Sequence, residues 1–272
     1  MIWNIILIVF SGLQTYHRVP LDTNDFNMGN VTNETCEDVE LSPEQTKFLK
    51  SCAWWIETCG NLPVASVGIV LNSIALFILS TPNMRSNFFN RLLFVLAICD
   101  NIYLFCEVTE VFRHHHLTFA QQHIFVNVIY PIRSIFMCSS IFMTISLTLE
   151  RFQAITNPVE YRIRGSANMM KRLLYYVFPV FAISIFYYSP KFFDLNVDEV
   201  LKCLNSTRIT NIPIKEGVDP ESTEYANCTI AYPLIPTDLR INHHYVLWYI
   251  NISNLFLTAI MPVSILLSLN CR

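Results

Sequence analysis

The chain has 272 residues, of which 53% are hydrophobic and 14% are charged, whereas an ordinary soluble domain has about 25% charged residues. With 18 basic and 21 acidic side chains, the net charge of −3 excludes a nucleic-acid binder held by bulk electrostatic attraction. The high hydrophobic content excludes intrinsic disorder. The Gly-rich phosphate-binding motifs G-x-G-x-x-G and G-x-x-x-x-G-K-[ST] are absent from the sequence, which argues against a nucleotide-binding loop.

Residues 1–61 are predicted to form an N-terminal tail outside the cell. This segment has three basic and eight acidic residues, and an excess of basic residues would be expected on the cytosolic side. The apolar run at 1–12 is too short to cross a bilayer. It is either part of a cleaved signal segment at 1–17 or an apolar terminus that is retained, since the basic start of a signal peptide is missing.

After the tail come several segments with few or no charged residues, each long enough as a helix to cross a bilayer. No charged residue occurs from Asn61 to Asn83, and a helix needs about 20 residues to cross about 30 Å of hydrocarbon. A soluble helix would carry charges on its outer face. The sequence therefore predicts an all-α membrane protein with five transmembrane helices, called spans 1 to 5, at about 62–80, 92–112, 124–150, 173–190 and 245–270.

Basic residues mark the loops that are predicted to face the cytosol. The loop between spans 1 and 2 contains Arg85 and Arg91 and no acid. The loop between spans 3 and 4 contains one acid, Glu160, and the basic residues Arg162, Arg164, Lys171 and Arg172. This distribution predicts a multi-pass protein of the plasma membrane with its N-terminus outside. The glycosylation sequons outside the spans agree, because all of them lie on the predicted outer side; their asparagines are Asn30, Asn33, Asn205 and Asn227.

Polar residues inside the spans are candidates for functional sites. A carboxylate within span 2, such as Asp100, is costly in lipid, so it is either functional or a neutral, hydrogen-bonded structural residue. Span 3 carries a polar stripe with spacings of 7, 4 and 7 residues, formed by Arg133, Ser140, Thr144 and Arg151. Such spacings place residues on one helix face, which predicts a central position for span 3. Arg133 either faces the bundle or snorkels to the outer interface.

Four patterns, in chain order, resemble the rhodopsin-like (class A) seven-helix G-protein-coupled receptors. They are Asn72 in span 1, the Leu-Ala-x-x-Asp pattern at Leu96–Asp100, the tripeptide Glu150-Arg151-Phe152 and Pro262 in span 5. Within that family the chain is most similar to the FMRFamide-type neuropeptide receptors, through the stretches 81–86, 130–131, 146–152 and 189–193. The resemblance implies a receptor that transmits the binding of an extracellular peptide to a heterotrimeric G protein.

The resemblance also implies roles for residues inside the bundle and at its cytosolic end. An interior sodium and activation site is implied for Asp100, Ser140 and Asn72, and no other cofactor is implied. Coupling to the G protein is implied for Glu150, Arg151 and Phe152. Glu150 and Arg151 are expected either to form an ion pair that loosens on activation or to be an ordinary interfacial pair.

The resemblance implies a ligand site toward the outer end. Arg133 occupies the position that carries an Asp in receptors for amines, and a cation there repels a protonated amine. A peptide amide or a carboxylate suits this position better. Glu107 and Glu110 either meet basic side chains of the ligand or are exposed on the surface. The implied ligand-binding residues are Arg133, Met137, Tyr130, Glu107 and Glu110.

The chain also departs from the family's pattern. Val126 lies where the family has a cysteine, so Cys203 and Cys228 become candidates for a disulfide that closes the second outer loop on itself. The resemblance stops at span 5, so the sixth and seventh helices are expected to be missing, and a chain with five spans is expected not to signal alone. Two alternatives therefore stay open: a truncated, non-signalling partner of a full-length receptor, and a transporter or channel fragment that uses Asp100 and Arg133. No enzyme is expected, because H-E-x-x-H and G-x-S-x-G are absent.

Overall fold

The computed structural model describes residues 43–112, 118–165, 169–198, 200–205, 208–213 and 228–270. The predicted signal segment and the sequons at Asn30, Asn33 and Asn227 lie outside the described residues. At Asn205, Cys203 and Cys228 the backbone alone is described.

Five helices in the described part of the chain are long and apolar enough to cross a membrane, which confirms the predicted helical membrane bundle. They run over Cys59–Leu79, Phe88–Phe112, Phe119–Thr156, Met169–Phe193 and Tyr245–Leu269, and these bounds define spans 1 to 5 from here on. We call the end of the bundle where span 1 begins the outer end and the opposite end the inner end. A helix at Pro43–Trp54, which the sequence analysis did not predict, precedes span 1.

Spans 1, 3 and 5 combine α-helical and π-helical turns, whereas span 2 is α-helical throughout and span 4 ends in a 3₁₀-helix. The described α-helices are Pro43–Trp54, Leu62–Leu79, Pro82–Arg85, Phe88–Phe112, Phe119–Ile124, Tyr130–Thr156, Pro158–Gly165, Met169–Tyr188, Asp238–Ile241 and Met261–Asn270. The described π-helical segments are Trp55–Asn61, Phe125–Ile129, Tyr245–Ser253 and Phe256–Ile260, and Ser189–Phe193 is a 3₁₀-helix.

The π-helical segments explain how three spans accommodate proline. Pro63, Pro131 and Pro262 each stand second in an α-helix that directly follows a π-helical segment. A proline ring clashes with the carbonyl four residues earlier and cannot donate a hydrogen bond to it. In a transmembrane helix, a local change to π turns can give the backbone groups that proline leaves unpaired other partners. Pro179, by contrast, lies inside the α-helix of span 4.

Span 3 lies at the centre of the bundle, as its polar stripe predicted. In its most apolar window 56% of the residues are buried, compared with 6% in spans 1 and 5. Span 3 packs against spans 2, 4 and 5. The core toward the inner end is formed by Phe88, Leu92, Met143, Leu147 and Val180.

Short antiparallel strands, which the sequence analysis did not predict, form between spans 4 and 5. Strand β1 (Leu195–Val197) pairs with β5 (Leu234–Pro236), while β2 (Val200–Asn205) lies between β3 (Arg208–Pro213) and β4 (Cys228–Ala231).

The register of the second sheet bears on the disulfide that was expected in this loop. It places Cys203 of β2 directly opposite Cys228 of β4. Opposed Cα atoms in an antiparallel pair are about 4.5–5.5 Å apart, and a disulfide bridges Cα atoms about 4.4–6.8 Å apart. The backbone is therefore compatible with a bridge that closes this loop on itself.

Gly68 in span 1 permits a close approach to span 2 and supplies a test of the packing. A Cβ atom at Gly68 would lie 2.8 Å from Cδ1 of Leu104, a side chain that is 2% exposed. Small residues allow helices to approach closely in a membrane, where packing drives their association. We expect Gly68→Leu to overpack this contact and to destabilise the purified protein by roughly 1–3 kcal/mol, measured as a lower melting temperature in detergent.

The matched control is Gly60→Leu, because a Cβ at Gly60 would meet nothing within 4 Å beyond its chain neighbours and its own helix backbone. Equal melting temperatures of the two variants would contradict the assigned packing of spans 1 and 2.

Candidate functional site

Asp100 and Ser140 form a buried polar contact between spans 2 and 3. Asp100 is 7% exposed, and its Oδ1 accepts a hydrogen bond from Ser140 Oγ. The backbone carbonyl of Ser140 accepts a further hydrogen bond from Thr144 Oγ1 at 3.0 Å. Asn72, the third residue expected here, is half-buried on span 1. The donor set is a carboxylate and a hydroxyl, which are the oxygen ligands that hard cations prefer.

An ion pair joins spans 2 and 3 nearer the outer end. Nε of Arg133 lies 2.7 Å from Oε1 of Glu107, and the side chains are 12% and 5% exposed, respectively. Glu110, one helical turn further along span 2, is also buried. The structure therefore places Arg133 inside the bundle rather than at the interface, and it buries both glutamates rather than exposing them.

Tyr130 and Met137, the other residues expected at the ligand site, flank Arg133 on span 3. Spacings of three and four residues place all three on one face of the helix. The Tyr130 hydroxyl accepts a hydrogen bond from Arg240 Nη1 at 3.0 Å. Met137 packs against the apolar cluster that contains Tyr103. The residues of the expected ligand site are thus brought together at the outer half of the bundle.

A buried carboxylate that the sequence analysis did not single out, Asp194, holds the outer end together. Its side chain is fully buried, and its Oδ1 accepts a hydrogen bond from the Tyr245 hydroxyl at 2.7 Å. Its Oδ2 accepts a hydrogen bond from Arg240 Nη1 at 3.2 Å. Since Arg240 also binds the Tyr130 hydroxyl, these four residues connect spans 3, 4 and 5. We call Asp194, Arg240, Tyr245 and Tyr130 the outer brace.

The charges around the outer brace are stabilised by their neighbours. Although burial opposes the charged form, Tyr130 and Asp194 raise the pKa of Arg240, so the guanidinium stays protonated. Lys191 lies beside the brace, with its Nζ 5.2 Å from the ring centres of both Tyr130 and Tyr188. Asp194 and Arg240 are 46 residues apart, and no motif or periodicity connects them. In the sequence, both are among several charged residues near the ends of the outer loop, so charge alone did not mark them.

At the inner end, Glu150 is paired with Arg172 at the start of span 4 rather than with its neighbour Arg151. Arg172 Nη2 donates to Glu150 Oε1 at 2.6 Å, and Glu150 is 1% exposed. The Arg172 guanidinium also lies over the rings of Phe88, at 4.4 Å, and Tyr161, at 4.8 Å. We call Glu150, Arg172, Phe88 and Tyr161 the inner latch.

The expected ion pair between Glu150 and Arg151 is therefore replaced by a contact between spans. Neighbouring residues on an α-helix point about 100° apart, so Glu150 faces the bundle while Arg151 is exposed, with its guanidinium 3.5 Å from the ring centre of Phe89. Phe152 is half-buried. Burial and a hydrogen bond with Glu150 raise the pKa of Tyr161, so its phenol stays protonated beside the acid.

The helical membrane bundle defines a multi-pass membrane protein, and comparison with known proteins identifies its family. Residues 61–233 match the sequence profile of the serpentine type 7TM GPCR chemoreceptor Srw family. The match covers more than half of the chain, so the chain belongs to this family of G-protein-coupled receptors. Membership in this family indicates a receptor rather than an enzyme.

Two curated proteins are similar to this chain. An FMRFamide receptor of Drosophila melanogaster is 28% identical over 251 residues, which cover 87% of this chain and 39% of that receptor. An FMRFamide peptide receptor of Caenorhabditis elegans is 29% identical over 112 residues, which cover 39% of this chain and 26% of that receptor. The chain thus spans about two fifths or less of the length of the curated relatives it matches.

Proposed function

We propose that the chain is part of a class A receptor at the plasma membrane that binds an FMRFamide-like neuropeptide and activates a heterotrimeric G protein. The observation that carries this proposal is the similarity to the Drosophila melanogaster FMRFamide receptor over 87% of the chain. In this proposal the outer end of the bundle, with its sequons, faces the cell exterior, and the inner end faces the cytosol. The excess of basic residues in the loops at the inner end supports that orientation.

The ion pair between Arg133 and Glu107 supplies the chemistry for binding a peptide amide. A guanidinium has five N–H donors, so Arg133 retains donors for a carbonyl oxygen of the ligand while it is paired with Glu107. A carboxylate accepts hydrogen bonds, so Glu107 can receive the N–H group of the same amide. Tyr130 and Met137 lie on the same face of span 3 and would contact the peptide side chains. Glu110 would meet a basic side chain of the peptide.

We expect the double variant Arg133→Gln with Glu107→Gln to bind FMRFamide about 10- to 100-fold more weakly than the wild type. Glutamine can still form each hydrogen bond, but a neutral hydrogen bond contributes about 1 kcal/mol less than one to a charged group, so two of them account for this loss. The double change also avoids leaving one buried charge without its partner. Affinity is measured with labelled FMRFamide on membranes that contain the receptor. Arg85→Gln, at the inner end, is the control and should bind as the wild type does. Unchanged affinity of the double variant would contradict the proposed ligand site.

Asp100 and Ser140 are proposed to hold an interior sodium ion, which would supply a positive charge that stabilises the carboxylate of Asp100 in the bundle. The oxygen donors of both side chains support this assignment. The carboxylate is the charged member of the pair, so it provides most of the attraction for a cation.

If Asp100 and Ser140 hold sodium, the affinity of the wild type for FMRFamide should change with the NaCl concentration. It should not change with KCl at the same ionic strength. Asp100→Asn keeps a side chain that can bind Ser140 but removes the negative charge, so the difference between the two salts should disappear. Peptide affinity is measured in both salts. An identical salt response of the wild type and Asp100→Asn would refute a cation site at Asp100.

The inner latch is proposed to restrain the coupling surface. Glu150 is buried and tied to span 4, while Arg151 next to it is exposed and stacked on Phe89. Release of the Glu150–Arg172 contact would free span 3 from span 4 at the inner end. Arg151 and Phe152 would then be free to leave their present contacts and meet the G protein.

We expect Arg172→Gln to raise ligand-independent nucleotide exchange by up to about tenfold, because a hydrogen bond to a charged group contributes about 1.5 kcal/mol. Arg151→Ala should instead abolish peptide-stimulated exchange. Both are measured as binding of a non-hydrolysable GTP analogue to membranes that contain the receptor and its G protein. The control is Arg85→Gln, which removes a cation at the same end of the bundle but leaves the inner latch intact. If Arg85→Gln raised ligand-independent nucleotide exchange as much as Arg172→Gln, the result would contradict the proposed role of the inner latch.

A further inference from the structure

An apolar groove of about 780 Å³ runs along the outside of spans 3 and 4. Phe142 and Ser146 of span 3 form one wall, and Leu174, Phe178 and Ile183 of span 4 form the other, with Lys171 at the inner end. The three span 4 side chains are about half to two thirds exposed. Since spans 3 and 4 lie in the bilayer, the groove opens onto lipid.

The length of the groove matches one leaflet. Lys171 and Ile183 are twelve residues apart on one α-helix, which is about 18 Å at 1.5 Å per residue. The hydrocarbon of one leaflet is about 15 Å thick, half of the roughly 30 Å core. With Lys171 at the level of the headgroups, the groove therefore reaches close to the middle of the bilayer.

Lys171 gives the groove a polar end. Its side chain is exposed, and none of the ion pairs among the described residues includes it. A lysine at the membrane surface attracts anionic lipid by about 1 kcal/mol, and its alkyl stem can lie along apolar surface. The rest of the lining is apolar apart from the Ser146 hydroxyl, which donates to its own helix, and the tyrosine hydroxyls.

We propose that this groove binds an anionic phospholipid, with one acyl chain along spans 3 and 4 and the phosphate at Lys171. A sterol has no charge to match the lysine. A second copy of the chain would have to bring a carboxylate to Lys171. The acids within the described parts of the spans are all buried, namely Asp100, Glu107, Glu110 and Glu150, and Glu160 in the loop between spans 3 and 4 is already engaged in a contact of its own. Charge complementarity thus favours a lipid phosphate.

The test is native mass spectrometry of the purified full chain in detergent with equal amounts of two lipids that share their acyl chains. These are palmitoyl-oleoyl phosphatidylserine and palmitoyl-oleoyl phosphatidylcholine. We expect phosphatidylserine adducts to exceed phosphatidylcholine adducts in the wild type. Lys171→Ala should reduce phosphatidylserine binding about fivefold, which corresponds to about 1 kcal/mol, while Arg85→Ala, outside the groove, should leave it unchanged.

A second variant tests the apolar part of the site. Ile183→Trp adds bulk inside the groove and should reduce the binding of both phospholipids, with an unchanged melting temperature because the side chain lies at the surface. Equal phosphatidylserine binding by Lys171→Ala and Arg85→Ala would overturn the proposal. Two further results would overturn it. One is stronger binding of cholesterol than of either phospholipid, and the other is a dimer of the chain that Lys171→Ala or Ile183→Trp dissociates.

Discussion

Hydrocarbon cannot hydrogen-bond to a charged or polar group, and this constraint organises the bundle. A charged side chain deep in span 2 or span 3 is required to turn inward, where a group on another helix can stabilise it. Three contacts meet this requirement: Asp100 with Ser140, Glu107 with Arg133, and Glu150 with Arg172. Each has one member on span 3, which explains why this span lies at the centre.

Features that depend on local pattern could be predicted from the sequence. Charge-free runs predicted the spans, and the stripe from Arg133 to Arg151 predicted the central helix, because periodicity and bilayer thickness are local constraints. Partners across the bundle could not be predicted in the same way. Glu150 was assigned to its neighbour Arg151, although adjacent helical residues diverge and the structure gives it Arg172. Asp194 was missed because its partners are distant in sequence and follow no repeat.

The strands between spans 4 and 5 escaped prediction for a related reason. A strand in a short sheet is stabilised by its neighbour in space, so its formation depends on pairing between segments such as β2 and β4 that lie far apart in the chain. Proline placement shows the opposite case. The sequence indicated that prolines within apolar spans are tolerated in a membrane, and the structure shows that a π turn precedes Pro63, Pro131 and Pro262.

The outer brace has a mechanical consequence for span 4. Asp194 anchors the end of this helix to Arg240 and Tyr245, so the helix has a fixed pivot there. Span 4 is 25 residues long, or about 37 Å, and rotation by about 5° around the pivot would carry its far end through roughly 3 Å. Added to the 2.6 Å between Arg172 Nη2 and Glu150 Oε1, that travel exceeds the reach of a hydrogen bond, which is about 3.2 Å. A small rotation of span 4 at the outer end would therefore break one contact, between Glu150 and Arg172, at the inner end.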